Sequence, residues 1–520
     1  MITAFRDSAK YHGVAATNTP VPTEERSMST TTVRGSSSTS ITNIVVLLAS
    51  VALFLVMGRL PARASVAVYV GKNRTSDGSV LLAGFGDEPS SHWLRIAPRH
   101  HPPPGSTLSV GSTAESAFPG QLIEIPQVSE TYKYISMDYS YFRGFPPPLT
   151  NGGMNEFHVA ARDVALWSRA ELTQMTPKPQ SGPNYSELSR IVLERAKTAR
   201  EAAEIVGALI DEYGFSTYGG NSHVFADANE GWVLLNFAGG QRLWIAKRLG
   251  PDDIWLNWRG HNEFGYIQEV PLNFQDDPDY LGSDHFISFA VEQGWYDRDL
   301  GKPFNVIDVY CRKSQYAEAI SVRDRLLALT PEIGVKDLMH ILRDVGRDSS
   351  GYGQVAHLRS KLHSDLGLLW CAPSSAVTAP FIPYWIGVEE ALPEFRRHRY
   401  LTAGEDRRMI SNEWRGLEST RYANRVSKRL LYLVDEHRDK FLPEVTEALG
   451  AFEDRLLLEQ AAVEQTARIL LEAGETELAR EYLTRYTQTE AANGLRLVED
   501  LATGVEARSK VLFGVRVPEE

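Results

Sequence analysis

Ala62-Arg63-Ala64-Ser65-Val66-Ala67-Val68-Tyr69-Val70-Gly71-Lys72 is the stretch on which the rest of the chain turns. Small residues at Ala62 and Ala64, after an apolar run, form an A-x-A signal-peptidase site, with cleavage expected after Ala64. Ser65 then becomes the first residue of the mature chain, at the head of a β-branched strand, Val66–Val70. An N-terminal serine holds nucleophile and base in one residue. Its hydroxyl attacks, and its α-amine, which ordinarily titrates at roughly 7.7–8.0, takes the proton near neutral pH. The bland reading is a cut that exposes a serine by chance.

Upstream of the cut the chain reads as a leader. Residues 1 to about 40 are rich in serine, threonine and other polar residues, a composition that builds no packed core. Residues 44–57 form a 14-residue apolar run, the length of a signal h-region and short for a membrane span. Met28 offers an alternative start that leaves Arg34 in an ordinary positive n-region. Cleavage is the favoured reading, with retention as a tilted anchor from Ile41 as its alternative.

The 520 residues are 43% apolar with a formal net charge of −12, enough apolar side chain for a large core. The acidic excess is spread along the chain, and no basic patch with interleaved aromatics argues for nucleic acid. Cys311 and Cys371 are the only cysteines, and no Cys/His spacing suits zinc. His100-His101 lacks i, i+4 ligand geometry and the acidic 276–284 loop lacks EF-hand spacing, so no metal is expected. No GxSxG elbow, HExxH, Walker A or Rossmann fingerprint occurs. Gly219-Gly220-Asn221-Ser222-His223 reads as a loop, which leaves Ser65 as the strongest nucleophile candidate.

From Ser65 onward, short strands alternate with turn signals. Ser76-Asp77-Gly78-Ser79 closes a hairpin between 66–70 and 80–83, and further strands are expected over 132–141, 157–161, 224–228, 232–237 and 243–248. Residues 185–197 and 199–213 carry apolar stripes at helical spacing, among them Leu188, Ile191 and Val192, then Ala202, Val206 and Ile210. Strand pairs, two helices and more strands indicate α+β layers. From 413 onward charged amphipathic helix dominates, with segments at 444–463 and 466–483 and no sustained heptad.

Taken in order, several stretches resemble the dipeptidase/secernin family of N-terminal nucleophile (Ntn) hydrolases, relatives of choloylglycine hydrolases and penicillin V acylase. They are Val70-Gly71-Lys72 with Ser76-Asp77-Gly78-Ser79, Ile125-Pro126-Gln127-Val128 with Glu130-Thr131-Tyr132, Gly153-Met154-Asn155-Glu156, and Ala196-Lys197-Thr198-Ala199-Arg200-Glu201-Ala202. Phe225-Ala226-Asp227 and Pro380-Phe381-Ile382-Pro383 before Gly387 complete the set, which spans most of 65–390. The resemblance implies a four-layer αββα sandwich and amide hydrolysis. It puts the nucleophile at Ser65, where the family usually has cysteine, and Asp87 beside its amine. Asn257 falls where an asparagine helps bind the oxyanion. Asn155 and an arginine of the following helix, Arg323 or Arg325, fall among the substrate-binding positions. The family's Arg-Asn-x-Asp segment lies on Gly84-Phe85-Gly86-Asp87, so its arginine is missing here.

The reading is therefore an exported Ntn-type amidohydrolase, dipeptidase-like by resemblance, with residues 1–64 as leader, 65–400 as catalytic domain and 401–520 as helical C-terminal region. Its substrate is a small peptide or N-acyl amide, without cofactor. The location is extracytoplasmic, secreted or periplasmic, with membrane contact only through an uncleaved apolar run. A homo-oligomer is compatible with this reading. The rival is a membrane-anchored, inactive binding or scaffold protein on the same fold, in which the nitrogen of Ser65 stays an amide and cannot act as base.

Overall fold

The structure is a computed structural model that describes residues 65–87, 92–139, 144–145, 148–261, 264–348, 350–396 and 421–514. The leader, the apolar run at 44–57 and the cleavage motif through Ala64 lie outside the described residues. The chain divides into two units, Met1–Pro61 and Ala62–Glu520, and every described residue belongs to the second.

Two antiparallel sheets organise that unit, and the protein is α+β. The six-stranded sheet runs in the order Ile254–Trp258, Val66–Val70, Val80–Phe85, Gly353–Leu358, Leu368–Ala372, Ile382–Trp385. Its strands are buried along their whole length save the Ile254 end, which is why Val66–Val70 reads as an unbroken apolar run instead of an alternating one. The eight-stranded sheet runs Tyr280–Gly282, Trp244–Leu249, Gly231–Phe237, Gly220–Ala226, Ala160–Ala165, Leu149–Asn155, Tyr134–Tyr139, His92–Ala97.

Helices Tyr185–Arg195 and Ala199–Tyr213 cover one face of the larger sheet, where Leu188, Ile191, Val206 and Ile210 pack with Phe225, Trp232 and Leu234. Asn184 starts the first helix with a reciprocal capping box: its side chain accepts from the Glu187 N–H, and the Glu187 carboxylate accepts from the Asn184 N–H at 2.8 Å. Thr198 caps the second. The other face of the larger sheet, through Val164, Val224 and Leu235, joins the core of the six-stranded sheet. Helices Ala317–Leu329 and Val335–Val345 and the long pair Arg438–Glu472 and Thr476–Phe513 pack against strands of the smaller sheet and share that core through Leu326, Leu342, Leu456 and Leu483.

Several expectations shift. The segment read as a loop at Gly219–His223 contains the start of strand Gly220–Ala226, in the middle of the larger sheet. A further strand, Leu149–Asn155, precedes Ala160–Ala165, and residues 156–159 are the turn between them instead of strand. Glycines hid it: Gly152 sits at φ +130°, and a Cβ there would lie 1.9 Å from the Ala161 carbonyl oxygen. The C-terminal helices run 438–472 and 476–513, breaking at Gly474 with φ +82° and not near 464. Among the described residues no helix is long and apolar enough to cross a membrane.

Candidate active site

Ser65 stands just before the strand Val66–Val70, in the interior of the smaller sheet, and is 6% exposed. Alternation along the strand sends Ser65 and Ala67 to one face. Asn257 and Gly84 lie directly opposite Ala67 on the two neighbouring strands, and Gln354 lies opposite Gly84. This row faces the larger sheet, because the Asn257 amide donates to the Ser222 hydroxyl and the Arg162 guanidinium donates to Gln354 Oε1.

Asp87 joins Ser65 to Arg259. Its backbone N–H donates to Ser65 Oγ at 3.1 Å, and one carboxylate oxygen accepts from Arg259 Nη1 at 2.7 Å. The other oxygen, Oδ1, is buried and has no hydrogen-bond partner. Arg259 also donates its backbone N–H to the Ser65 carbonyl at 3.1 Å, and its guanidinium lies 5.4 Å from the Trp167 ring centre. A buried carboxylate oxygen with an unused lone pair is costly, roughly 1–3 kcal/mol or more for a charged group, so Oδ1 calls for a donor. Asn257 Oδ1 is likewise buried and unpaired.

The structure brings Ser65, Asp87 and Asn257 to one end of the sheet. It does not bring Asn155 or Arg325 there. The Asn155 amide donates to the Leu193 and Ala196 carbonyls and accepts from the Phe157 and Val159 N–H groups, which fills its bonding capacity with the 155–159 turn and a helix end. Arg325 pairs with Asp344 on the surface at 2.9 Å. Arg323 lies 5.0 Å from the Phe264 ring centre, and that ring lies tilted 4.2 Å from the ring of His261, two residues beyond Arg259.

Two arginines near the row carried no sequence signal: Arg259, next but one to Asn257, and Arg162, in a strand of the other sheet. Position 84 itself admits no side chain, since a Cβ there would sit 2.1 Å from the Val66 carbonyl oxygen. On the helix-covered face of the larger sheet lies a second buried polar group. Asp163 accepts from Asn221 Nδ2 at 3.0 Å, with His223 directly across on the next strand. Burial pushes the Asp163 carboxyl up to about 8 and the His223 imidazole down to about 3, so both are neutral at pH 7. A groove of about 500 Å³ lined by Trp93, Arg95, Asp138, Glu389 and Arg396 includes none of Ser65, Asp87 or Asn257. Among the described residues no cluster of His, Cys, Asp and Glu could hold a metal ion.

Comparison with known proteins matches residues 64–323, half of the chain, to peptidase family C69. A probable dipeptidase A of Streptococcus pyogenes serotype M3 (strain SSI-1) is 26% identical over 224 residues, 42% of this chain and 44% of that relative. A dipeptidase of Bifidobacterium longum (strain NCC 2705) is 34% identical over 142 residues, 26% of this chain and 24% of that relative. The chain thus spans less than half the length of the curated relatives it matches. Among solved structures, a mutant of the conjugated bile acid hydrolase from Clostridium perfringens aligns over 63% of this chain and 93% of its own, at 13% identity and a TM-score of 0.34.

Proposed function

The chain belongs to peptidase family C69, and from that premise we propose that it is an exported amide hydrolase of short peptides or N-acyl amides whose nucleophile is Ser65. The observation that carries the reading is the Asp87 contact: its N–H donates to Ser65 Oγ, and the same residue holds a buried, unpaired Oδ1. Cleavage after Ala64 turns the Ser65 nitrogen into an amine, and its ammonium form is a donor suited to that oxygen. Two facing sheets with helices packed on each favour the four-layer αββα sandwich of an Ntn hydrolase.

In this reading Ser65 Oγ attacks the scissile carbonyl while its hydroxyl proton passes to the α-amine, held by Asp87 Oδ1. The oxyanion takes hydrogen bonds from the second N–H of Asn257 Nδ2 and from a backbone N–H. The ammonium returns the proton to the leaving nitrogen, the C–N bond breaks, and an acyl-serine remains. Water, giving its proton to the same amine, hydrolyses the ester and frees the hydroxyl. A serine hydroxyl is far less acidic than a cysteine thiol, so this chain leans harder on the amine than a cysteine enzyme would. Location outside the cytoplasm follows from the same cut.

Intact mass and N-terminal sequencing of the protein from its native host test the reading, followed by hydrolysis assays on dipeptides with a Ser65→Ala control. A mature start at Ser65 and activity lost in Ser65→Ala are expected. A start at Met1 or Met28, or residues left ahead of Ser65, would sink the mechanism.

A further inference from the structure

Arg162 is an arginine in the wrong place for a structural one. It projects from strand Ala160–Ala165 into the space between the sheets and is 2% exposed. Its guanidinium donates to Gln354 Oε1 and to the Tyr352 hydroxyl at 3.3 Å, two neutral acceptors, and its Nε is buried without a partner. Among the described residues no carboxylate pairs with it. Buried charges are ordinarily paired, because an uncompensated one loses its hydration with nothing in return.

Among the described residues the surroundings supply no hidden anion. Asp163, its chain neighbour, alternates to the opposite face of its strand and is neutral through pH 7. The Cys371 thiol, 3.6 Å from the Gln354 amide, is pushed up to about 12 by burial and stays protonated. Asp87 is already paired with Arg259. Among the described side chains, Arg162, Arg259 and Asp87 together leave one positive charge without a carboxylate.

Position decides what that charge is for. Gln354 lies opposite Gly84, which lies opposite Ala67, and the Gly351 N–H donates to the Gly86 carbonyl, which sets Tyr352 next to Gly86. The Arg162 anchor points are therefore two strands from Ser65, about 10 Å at ordinary strand spacing. That is the reach of a peptide of two or three residues at about 3.5 Å each. Gly84 and Gly86 leave the intervening floor without side chains. We infer that Arg162, entering from the opposite sheet over Gly84, is the substrate-binding arginine of this site and that the substrate carries a free carboxylate which pairs with it. The inference rests on Ser65 as nucleophile and goes further by naming the substrate's charge and the group that selects it.

Binding separates the two claims. In the mature Ser65→Ala protein, where nothing is turned over, calorimetry compares L-alanyl-L-alanine with its C-terminal carboxamide. The acid is expected to bind at least about tenfold more tightly, as a charge-assisted fork on a carboxylate would give. Adding Arg162→Gln should bring the two within about threefold, while Arg162→Lys keeps part of the preference. Equal binding of acid and amide, no binding of either at millimolar concentration, or a preference that persists in Arg162→Gln overturns the inference. Should Arg162→Gln fail to fold, Arg162→Lys carries the test, and an acid preference unchanged from the parent in that variant overturns the assignment to Arg162. Hydrolysis surviving Ser65→Ala would instead refute the nucleophile and leave the binding comparison standing.

Discussion

Removing one carboxylate should loosen the C-terminal helices from the smaller sheet. Glu453, on helix Arg438–Glu472, accepts from Arg343 Nη2 at 2.6 Å and Nη1 at 3.1 Å, and both side chains are 2% exposed. The same carboxylate accepts the Phe381 N–H at 2.9 Å, just before the edge strand Ile382–Trp385, while Arg343 Nε donates to the Ala376 carbonyl. Glu453→Ala leaves a buried guanidinium without its counter-ion and a buried N–H without an acceptor. Breaking such a pair from one side costs roughly 3–5 kcal/mol, against about 0–1 for an exposed pair. Replacing both partners by apolar groups, Arg343→Met with Glu453→Leu, removes the stranded charge and should recover most of that loss. Urea unfolding followed by tryptophan fluorescence measures both, with Trp370 and Trp385 buried in the adjoining strands. A Glu453→Ala loss below about 1 kcal/mol, or a double variant no more stable than the single, would refute the reasoning, for the pair would then behave as a solvated one.

Two further outcomes follow from burial alone. The Asp163 carboxyl, raised by desolvation from 3.8 to about 8, binds its proton more tightly folded than unfolded. Its stabilising proton is therefore fully in place below about pH 4, and that advantage is lost as the pH climbs to about 8. Asp163→Asn should gain on the parent across this window by well over the roughly 1.4 kcal/mol that a tenfold change in proton affinity is worth. A difference that stays flat in denaturation runs from pH 4 to 8 would contradict this. Gly84→Ala places a methyl 2.1 Å from the Val66 carbonyl oxygen, backbone that cannot swing aside. A loss of about 1–3 kcal/mol is expected from such overpacking, and a change within about 0.5 kcal/mol in the same assay would show that the strands yield.

What could be read from the chain beforehand follows a physical line. Helix Ala199–Tyr213 appears with the bounds its stripe predicts, because Thr198 caps it and Gly214 at φ +82° ends it. The hairpin of Val66–Val70 and Val80–Phe85 appears for a similar reason, with its turn chemistry local: Asp77 accepts from the Ser79 N–H at 3.0 Å. The misreadings gather where a covered sheet face carries polar side chains. In Gly220–Ala226, Asn221 and His223 point under the helices while Ser222 points at Asn257, so both faces look polar and the strand reads as a loop. Alternation reports solvent only when one side of a sheet meets water, and here neither does. The same inversion hid Arg162, whose strand, Ala160–Ala165, shows Arg162-Asp163 as an adjacent charge pair that looks exposed and is buried on two opposite faces. Ser65, Asp87 and Asn257 came to notice through motif position, yet their adjacency depends on strands almost 200 residues apart in the chain. Arg259 joins the group through tertiary contacts alone, its side chain on the Asp87 carboxylate and its N–H on the Ser65 carbonyl. Polar residues that survive on a doubly covered sheet are kept against a desolvation cost, so an apparent loop inside a strand-rich region is itself the place to look for chemistry.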